Sequence, residues 1–215
     1  MVARHYDDPC GIARALDIVG DRWALLLIRE LIYGPKRFTH LRDGLPGASQ
    51  TVLAQRLRDL EVAKVIRRVL LGRPGNVSAY QLTERGEAIK PILLGLGTWG
   101  SRAVQAITAP MSASALVLAL ETCFDTTSQL SGSFNVELAG ESFELHPHNQ
   151  ILEAKGGRFP AADATIVTDV ETFRSIVFRR RSTQVSEMST KLTILGDREA
   201  ALELCDAFLV PQAWQ

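Results

Sequence analysis

Residues 49–61, SQTVLAQRLRDLE, constrain this chain more than any other stretch, because they describe a short helix with two unlike faces. Leu53, Leu57 and Leu60 recur at i, i+4 and i+7 and make one narrow apolar stripe. At about 100° per residue, Thr51, Gln55 and Arg58 fall on the opposite side. Ser49 follows a Pro46-Gly47 turn and suits the N-cap. A helix that is core on one side and Gln, Thr and Arg on the other can enter a DNA major groove and read base edges. Taken alone, these residues describe an ordinary solvated surface helix at least as well. Their neighbours reverse that balance.

Upstream, residues 12–19 and 23–32 are apolar-periodic segments split by Gly20, with Asp21 placed to cap the second. Gly34-Pro35 stops that helix, and Phe38, Leu41 and Leu45 mark a third one ending at Pro46-Gly47. With the helix from Ser49 this spells a helix-turn-helix. Downstream, residues 65–71 and 77–82 are β-rich and flank a Gly/Pro/Asn cluster at 72–76, which predicts a hairpin. A basic hairpin directly after a helix-turn-helix is a wing. Its Arg67, Arg68 and Arg73 are candidates to lie along phosphates, where position matters more than sequence. Lys36 and Arg37, just before the third helix, are candidate phosphate clamps.

Thr83 is placed to cap a long helix over residues 83–106, with Glu84 and Glu87 suiting its first turn. Ile89, Ile92, Leu93, Leu96 and Trp99 continue one stripe, and Gly95, Gly97 and Gly100 would let another helix approach closely. This helix, together with the one starting near Cys10, is where a homodimer is expected to pair.

The pattern changes after residues 108–114, read as a linker between a DNA-binding and dimerisation domain (1–107) and a second domain (115–215). Residues 116–124 read as an apolar helix. Alternation at Phe134, Val136 and Leu138, repeated at Phe143 and Leu145, reads as half-buried strands. Further short strands at 151–155, 164–167 and 192–194, with helical spacing from Val170 to Val177 and from Ala201 to Phe208, indicate an α+β domain.

The zero net charge conceals an asymmetry between these halves. Residues 1–109 carry 16 Lys plus Arg against 10 Asp plus Glu, and residues 110–215 carry 8 against 14. A basic half joined to an acidic half points to a polyanion as partner of the first alone. At 46% apolar residues the chain can fill real cores. It has no run of the roughly 20 apolar residues that would span a bilayer. Its first ten residues lack the apolar region of a signal peptide, so a cytoplasmic place is expected and no membrane partner. Three widely spaced cysteines, Cys10, Cys123 and Cys205, make no disulfide framework.

With both halves laid out, residues 10–102 resemble the HxlR-type family of bacterial winged-helix transcription regulators. The matching stretches are Cys10, ALDIVGDRW (15–23), LLLIRELIYGPKRFTHLRDGLPG (25–47), QRLRDLE (55–61) and YQLTERG (80–86), in the family's order. Gln50 stands where the family often has proline, and Ala63-Lys64 replaces the usual small-residue-plus-glycine turn into the wing. Residues 112–209 resemble the SCP2-like sterol-carrier fold through GSFNVEL, ADATIVTDVETFRSIV and LTILGDREAALELCDAF. The expected architecture is therefore a mainly α winged helix-turn-helix domain followed by an α+β SCP2-like domain. The second resemblance implies an apolar tunnel and a hydrophobic small-molecule effector.

The first resemblance assigns base contact to the start of the helix at Ser49, with Gln50, Thr51 and Gln55 as the readers, since Gln pairs bidentately with adenine. Arg56 and Arg58 are candidate phosphate contacts that could instead pair with Asp59 or Glu61 on their own helix. Cys10 has two readings. It resembles the sensor cysteine of some HxlR-type regulators, with Arg14 one turn on to lower its pKa, or it is a small buried residue at a helix start. Cys123 and Cys205 fall on apolar faces and read as core. His146 and His148 flank Pro147 with no acidic or cysteine ligand at suitable spacing, so no metal is expected. No Ser/His/Asp arrangement, phosphate loop or paired-carboxylate motif suggests an enzyme or a cofactor. Two functions follow. One is a homodimeric repressor whose second domain binds an effector; the other is a lipid-binding or transfer module whose first half serves assembly only.

Overall fold

A computed structural model describes residues 6–72, 77–103, 109–178 and 191–210. Contacts divide the chain into Met1–Leu93 and Leu94–Gln215, a boundary upstream of the 108–114 segment read as a linker. No helix among the described residues is long and apolar enough to cross a membrane.

The first unit runs α1 (Gly11–Val19), α2 (Ala24–Leu31), α3 (Phe38–Gly44), α4 (Gln50–Val62), β1 (Ile66–Leu71), β2 (Val77–Leu82) and α5 (Glu84–Glu87). The stripe on α4 does what its spacing requires: Leu53, Leu57 and Leu60 are essentially inaccessible, on a helix that packs against α1, α2 and the start of the hairpin. Each such side chain contributes about 1.5–3 kcal/mol on burial. β1 and β2 pair antiparallel from Ile66↔Leu82 to Leu71↔Val77. A backbone bridge between Lys36 and Tyr80 adds a third, one-residue strand to this hairpin. At Gly86 a Cβ would collide with the Val65 carbonyl oxygen, so only glycine lets α5 pass so close to the residue that leads into β1.

Two expectations fail here. Asp21 does not cap α2. Its carbonyl accepts from the Ala24 N–H in a tight turn, and Trp23, at φ 80°, occupies the N-cap position without a side-chain cap. The long helix from Thr83 is also broken. Thr83 caps only α5, accepting from Gly86 N–H, and α6 (Lys90–Gly100) starts afresh after a turn at 88–89. Pro91 explains the break: it has no N–H for the Glu87 carbonyl and disfavours helical backbone at Lys90.

The second unit contains most of α6, then α7 (Ala113–Cys123), β3 (Phe134–Leu138), β4 (Glu141–His148), β5 (Ile151–Gly156), β6 (Ala164–Thr168), α8 (Val170–Phe178), β7 (Thr193–Gly196) and α9 (Arg198–Asp206). Five strands form one mixed sheet in the order β5-β4-β3-β6-β7, antiparallel except for the β3–β6 pair. The β3–β4 and β4–β5 connections put Ala139-Gly140 and Asn149-Gln150 at positive φ, the two-residue hairpin geometry whose twist matches the strands. Phe134, Val136, Phe143, Leu145 and Ile166 make one apolar sheet face, covered by α7 and α9, with α8 packed against both; Leu116, Phe173 and Leu204 are the buried side chains of these helices. This is an α+β unit, as expected. These eight side chains are 0–1% exposed, so the layer between sheet and helices is filled by the chain's own residues.

Candidate nucleic-acid interface

Ser49 is the N-cap of α4, its hydroxyl accepting from the Val52 N–H at 3.3 Å. Gln50 and Thr51 stand exposed in the first turn. Where the family often has proline, Gln50 costs the helix nothing, because the first helical N–H has no intrahelical partner. The far end closes with a Schellman motif: Val65 N–H donates to the Leu60 carbonyl and Lys64 N–H to Glu61. Lys64 adopts φ 58°, the left-handed conformation that a glycine would take at no cost. So the turn into the wing keeps its shape despite the Ala63-Lys64 pair. Arg85 caps it from α5, donating to the Ala63 carbonyl at 2.7 Å.

The polar face of α4 is a connected network. Gln55 Nε2 donates to Asp59 Oδ1 at 2.7 Å, and Arg58 donates to Gln55 Oε1 at 2.7 Å. Arg56 pairs with Asp59 Oδ2 at 3.0 Å and with Asp21, across the α1–α2 turn. Arg56 is thus tied down twice and only 21% exposed, which is the pairing with Asp59 that was the alternative to a phosphate contact. Arg58 stays exposed but bonds Gln55 rather than an acid.

Lys36 is a correction. It is buried, with Nζ 3.4 Å from the carboxylate of Glu30, which is wholly inaccessible and also bonds Arg29 at 2.8 Å. Its backbone is fixed by the bridge to Tyr80, which turns the side chain inward. Lys36 therefore anchors the wing instead of clamping phosphate. Arg37 next to it is exposed at the start of α3. Arg67 and Arg68 are both exposed, but as neighbours on one strand they leave opposite faces of the hairpin. Arg67 donates to Gln81 at 3.2 Å; Arg68 approaches Glu61 at 3.4 Å and lies over the Tyr80 ring at 5.5 Å. Arg73 lies outside the described residues.

On α6, Ile92, Leu96 and Trp99 are 59%, 45% and 68% exposed at i, i+4 and i+7. Leu93 is buried within its own chain and leaves the expected pairing stripe, and Ile89 is half-buried. Ile12 and Leu16 of α1 are exposed as well. The close approach expected at the glycines is partly intramolecular: at Gly97 a Cβ would sit 3.1 Å from the Thr122 methyl of α7.

Cys10 is exposed at the N-cap position of α1, so the small-buried-residue reading fails. Cys123 and Cys205 are buried. Burial pushes both thiols up, Cys205 to about 12 with help from the Asp206 carboxylate. His146 and His148 do have acidic neighbours, Glu144 and Glu153, each at 3.6 Å. The pleat brings in the first from two residues away, and the β4–β5 hairpin the second. Among the described residues, no three His, Cys, Asp or Glu side chains gather to hold a metal ion. An open groove of about 620 Å³ lies beside α9, lined by Asp125, Gln129, Glu199, Glu203 and Asp206. It is acidic, unlike the apolar tunnel that the sterol-carrier resemblance implies.

The sequence pattern leaves out Glu30 and Arg85 and offers Asp21 only as a cap, whereas Asp59 is the partner expected for Arg56. Asp59 was legible, four residues after Gln55 and three after Arg56. A glutamate inside the apolar run ALLLIREL marked Glu30. Asp21 and Arg85 act across the fold, where spacing carries no signal.

The family model described as HxlR-like helix-turn-helix matches residues 18–108. An uncharacterized HTH-type transcriptional regulator of Bacillus subtilis, YvaP, is 34% identical over 88 residues, 41% of this chain and 82% of that protein. The HTH-type transcriptional regulator YodB of the same organism is 34% identical over 88 residues, 41% of this chain and 79% of YodB. The solved reduced form of YodB matches 46% of this chain and 97% of its own, at 31% identity and a TM-score of 0.40. The family match stops at residue 108, short of the mixed sheet.

Proposed function

The chain belongs to the HxlR-like helix-turn-helix family, and on that premise we propose that it is a sequence-specific DNA-binding repressor acting as a homodimer. The observation that carries the reading is α4: a helix anchored by three buried leucines that leaves Gln50, Thr51, Gln55 and Arg58 on its outer face. These are residue types that read base edges and hold phosphates. Arg37 and Arg67 add exposed cations beside it. Pairing is assigned to the exposed Ile92, Leu96 and Trp99, with α1 alongside, because two half-sites about one DNA turn apart need two such helices.

For the second unit we propose an SCP2-like role, taking up a hydrophobic effector between the sheet and its helices. The separate unit and the layered α+β arrangement support this. The filled apolar layer means that a ligand enters only if side chains such as Phe173 move aside.

Selection of duplexes from a randomised pool by the full chain tests the DNA reading. An enriched, two-fold-related motif supports it. Binding without enrichment, or none, favours instead a lipid-binding module whose first unit serves assembly.

A further inference from the structure

We propose that Asp59 is a specificity-determining positioning residue, which fixes the Gln55 amide in the one orientation that can read adenine. This deepens the assignment of α4 as the base-reading helix and rests on it.

Both ends of the Gln55 amide are held. Nε2 donates to Asp59 Oδ1 at 2.7 Å, and Oε1 accepts from the Arg58 guanidinium at 2.7 Å. A flipped amide would set Oε1 against the carboxylate and Nε2 against the guanidinium, acceptor to acceptor and donor to donor. The chemistry of the neighbours therefore decides the orientation. Asp59 is itself held, since Arg56 bonds its Oδ2 at 3.0 Å and reaches on to Asp21 in the α1–α2 turn. The chain Asp21–Arg56–Asp59–Gln55–Arg58 thus ties a flexible amide to the scaffold.

What remains open on Gln55 is one N–H and one oxygen lone pair. Those are the two groups that adenine N7 and the adenine amino group need in the major groove. A free glutamine would lose rotamer freedom on binding; this one has already lost it. Asp59 brings a negative charge close to the phosphates, so it lowers affinity for any duplex while raising discrimination between duplexes.

The test uses the full chain, the duplex it selects, and a scrambled duplex, with both affinities read by fluorescence anisotropy. Asp59→Ala should lower the selected-to-scrambled ratio about tenfold, the scale of one bidentate base contact, while scrambled-duplex affinity holds or rises. In a Gln55→Ala background the same substitution should leave the ratio unchanged, because Asp59 acts through Gln55. Asp59→Asn keeps an oxygen for the amide and should retain most of the ratio. An unchanged ratio in Asp59→Ala, or an equal fall in the Gln55→Ala background, overturns the proposal. Loss of scrambled-duplex binding in Asp59→Ala would assign Asp59 a purely structural role and overturn it as well. Failure of the wild-type chain to select any duplex would defeat the base-reading assignment itself, and the proposal with it.

Discussion

Replacing Lys36 with methionine separates an anchor from a phosphate clamp. The ammonium lies 3.4 Å from the Glu30 carboxylate, and both groups are buried. At an effective dielectric near 20, that separation corresponds to about 5 kcal/mol of attraction before desolvation. Removing one partner of a buried pair costs roughly 3–5 kcal/mol, because the other charge is left behind. Here Arg29 still bonds Glu30 at 2.8 Å, and methionine preserves much of the lysine stem's packing. Lys36→Met should therefore cost about 3 kcal/mol, the lower end of that range. Hydrogen exchange on peptides from α2 and α4 reads the first unit separately from the second. Replacing Glu30 with leucine in the same protein should recover part of the loss, since the buried carboxylate is gone while Arg29, 20% exposed, gives up its partner. The salt dependence of DNA affinity should keep its slope in Lys36→Met. Unchanged exchange with a slope flattened by about one phosphate contact would refute the anchoring role.

Lys64→Gly should stabilise the first unit by about 0.5–1 kcal/mol, the left-handed strain relieved less the entropy that glycine adds to the unfolded chain; a chemical-denaturation midpoint that falls would contradict the Schellman geometry. A thiol reagent should label Cys10 alone in the native chain and all three cysteines in denaturant, and fast native labelling of Cys205 would show that its burial is wrong. Cys205 has a folded pKa raised above its ordinary 9.0, so its contribution to stability is fully present below pH 9.0 and is lost as pH rises toward about 12. Thermal scans across that window should show less loss in Cys205→Ala than in the wild type. Trp99→Asp should give a monomer by light scattering, and a protein that stays dimeric would move the pairing surface elsewhere.

Periodic features were the most legible part of this chain. The Leu53–Leu57–Leu60 stripe, the Ser49 cap and the alternation in β3 and β4 each record a local rule, and each element lies within a residue or two of its expected place. Errors came where one residue overrides the pattern. Pro91 breaks a stripe whose hydrophobic spacing runs straight through it. Lys36 looked like a surface cation until the backbone bridge to Tyr80 turned it toward Glu30. Arg56 has acids within reach on its own helix, and Asp59 is one of its partners. Its other partner, Asp21, is 35 residues away and was out of reach of any spacing rule. The apolar face of the second sheet was plain, but the sequence did not reveal that its own side chains fill the space above it.

The account stands most directly on whether the outer face of α4 reads sequence. Anisotropy titrations of the wild-type chain and of Gln50→Ala/Thr51→Ala, on the selected duplex and on a scrambled one, measure this. The account predicts that the double substitution lowers selected-duplex affinity by about 1–3 kcal/mol or more and scrambled-duplex affinity hardly at all. Equal losses on both duplexes would contradict it, leaving α4 as a helix that only touches the DNA backbone.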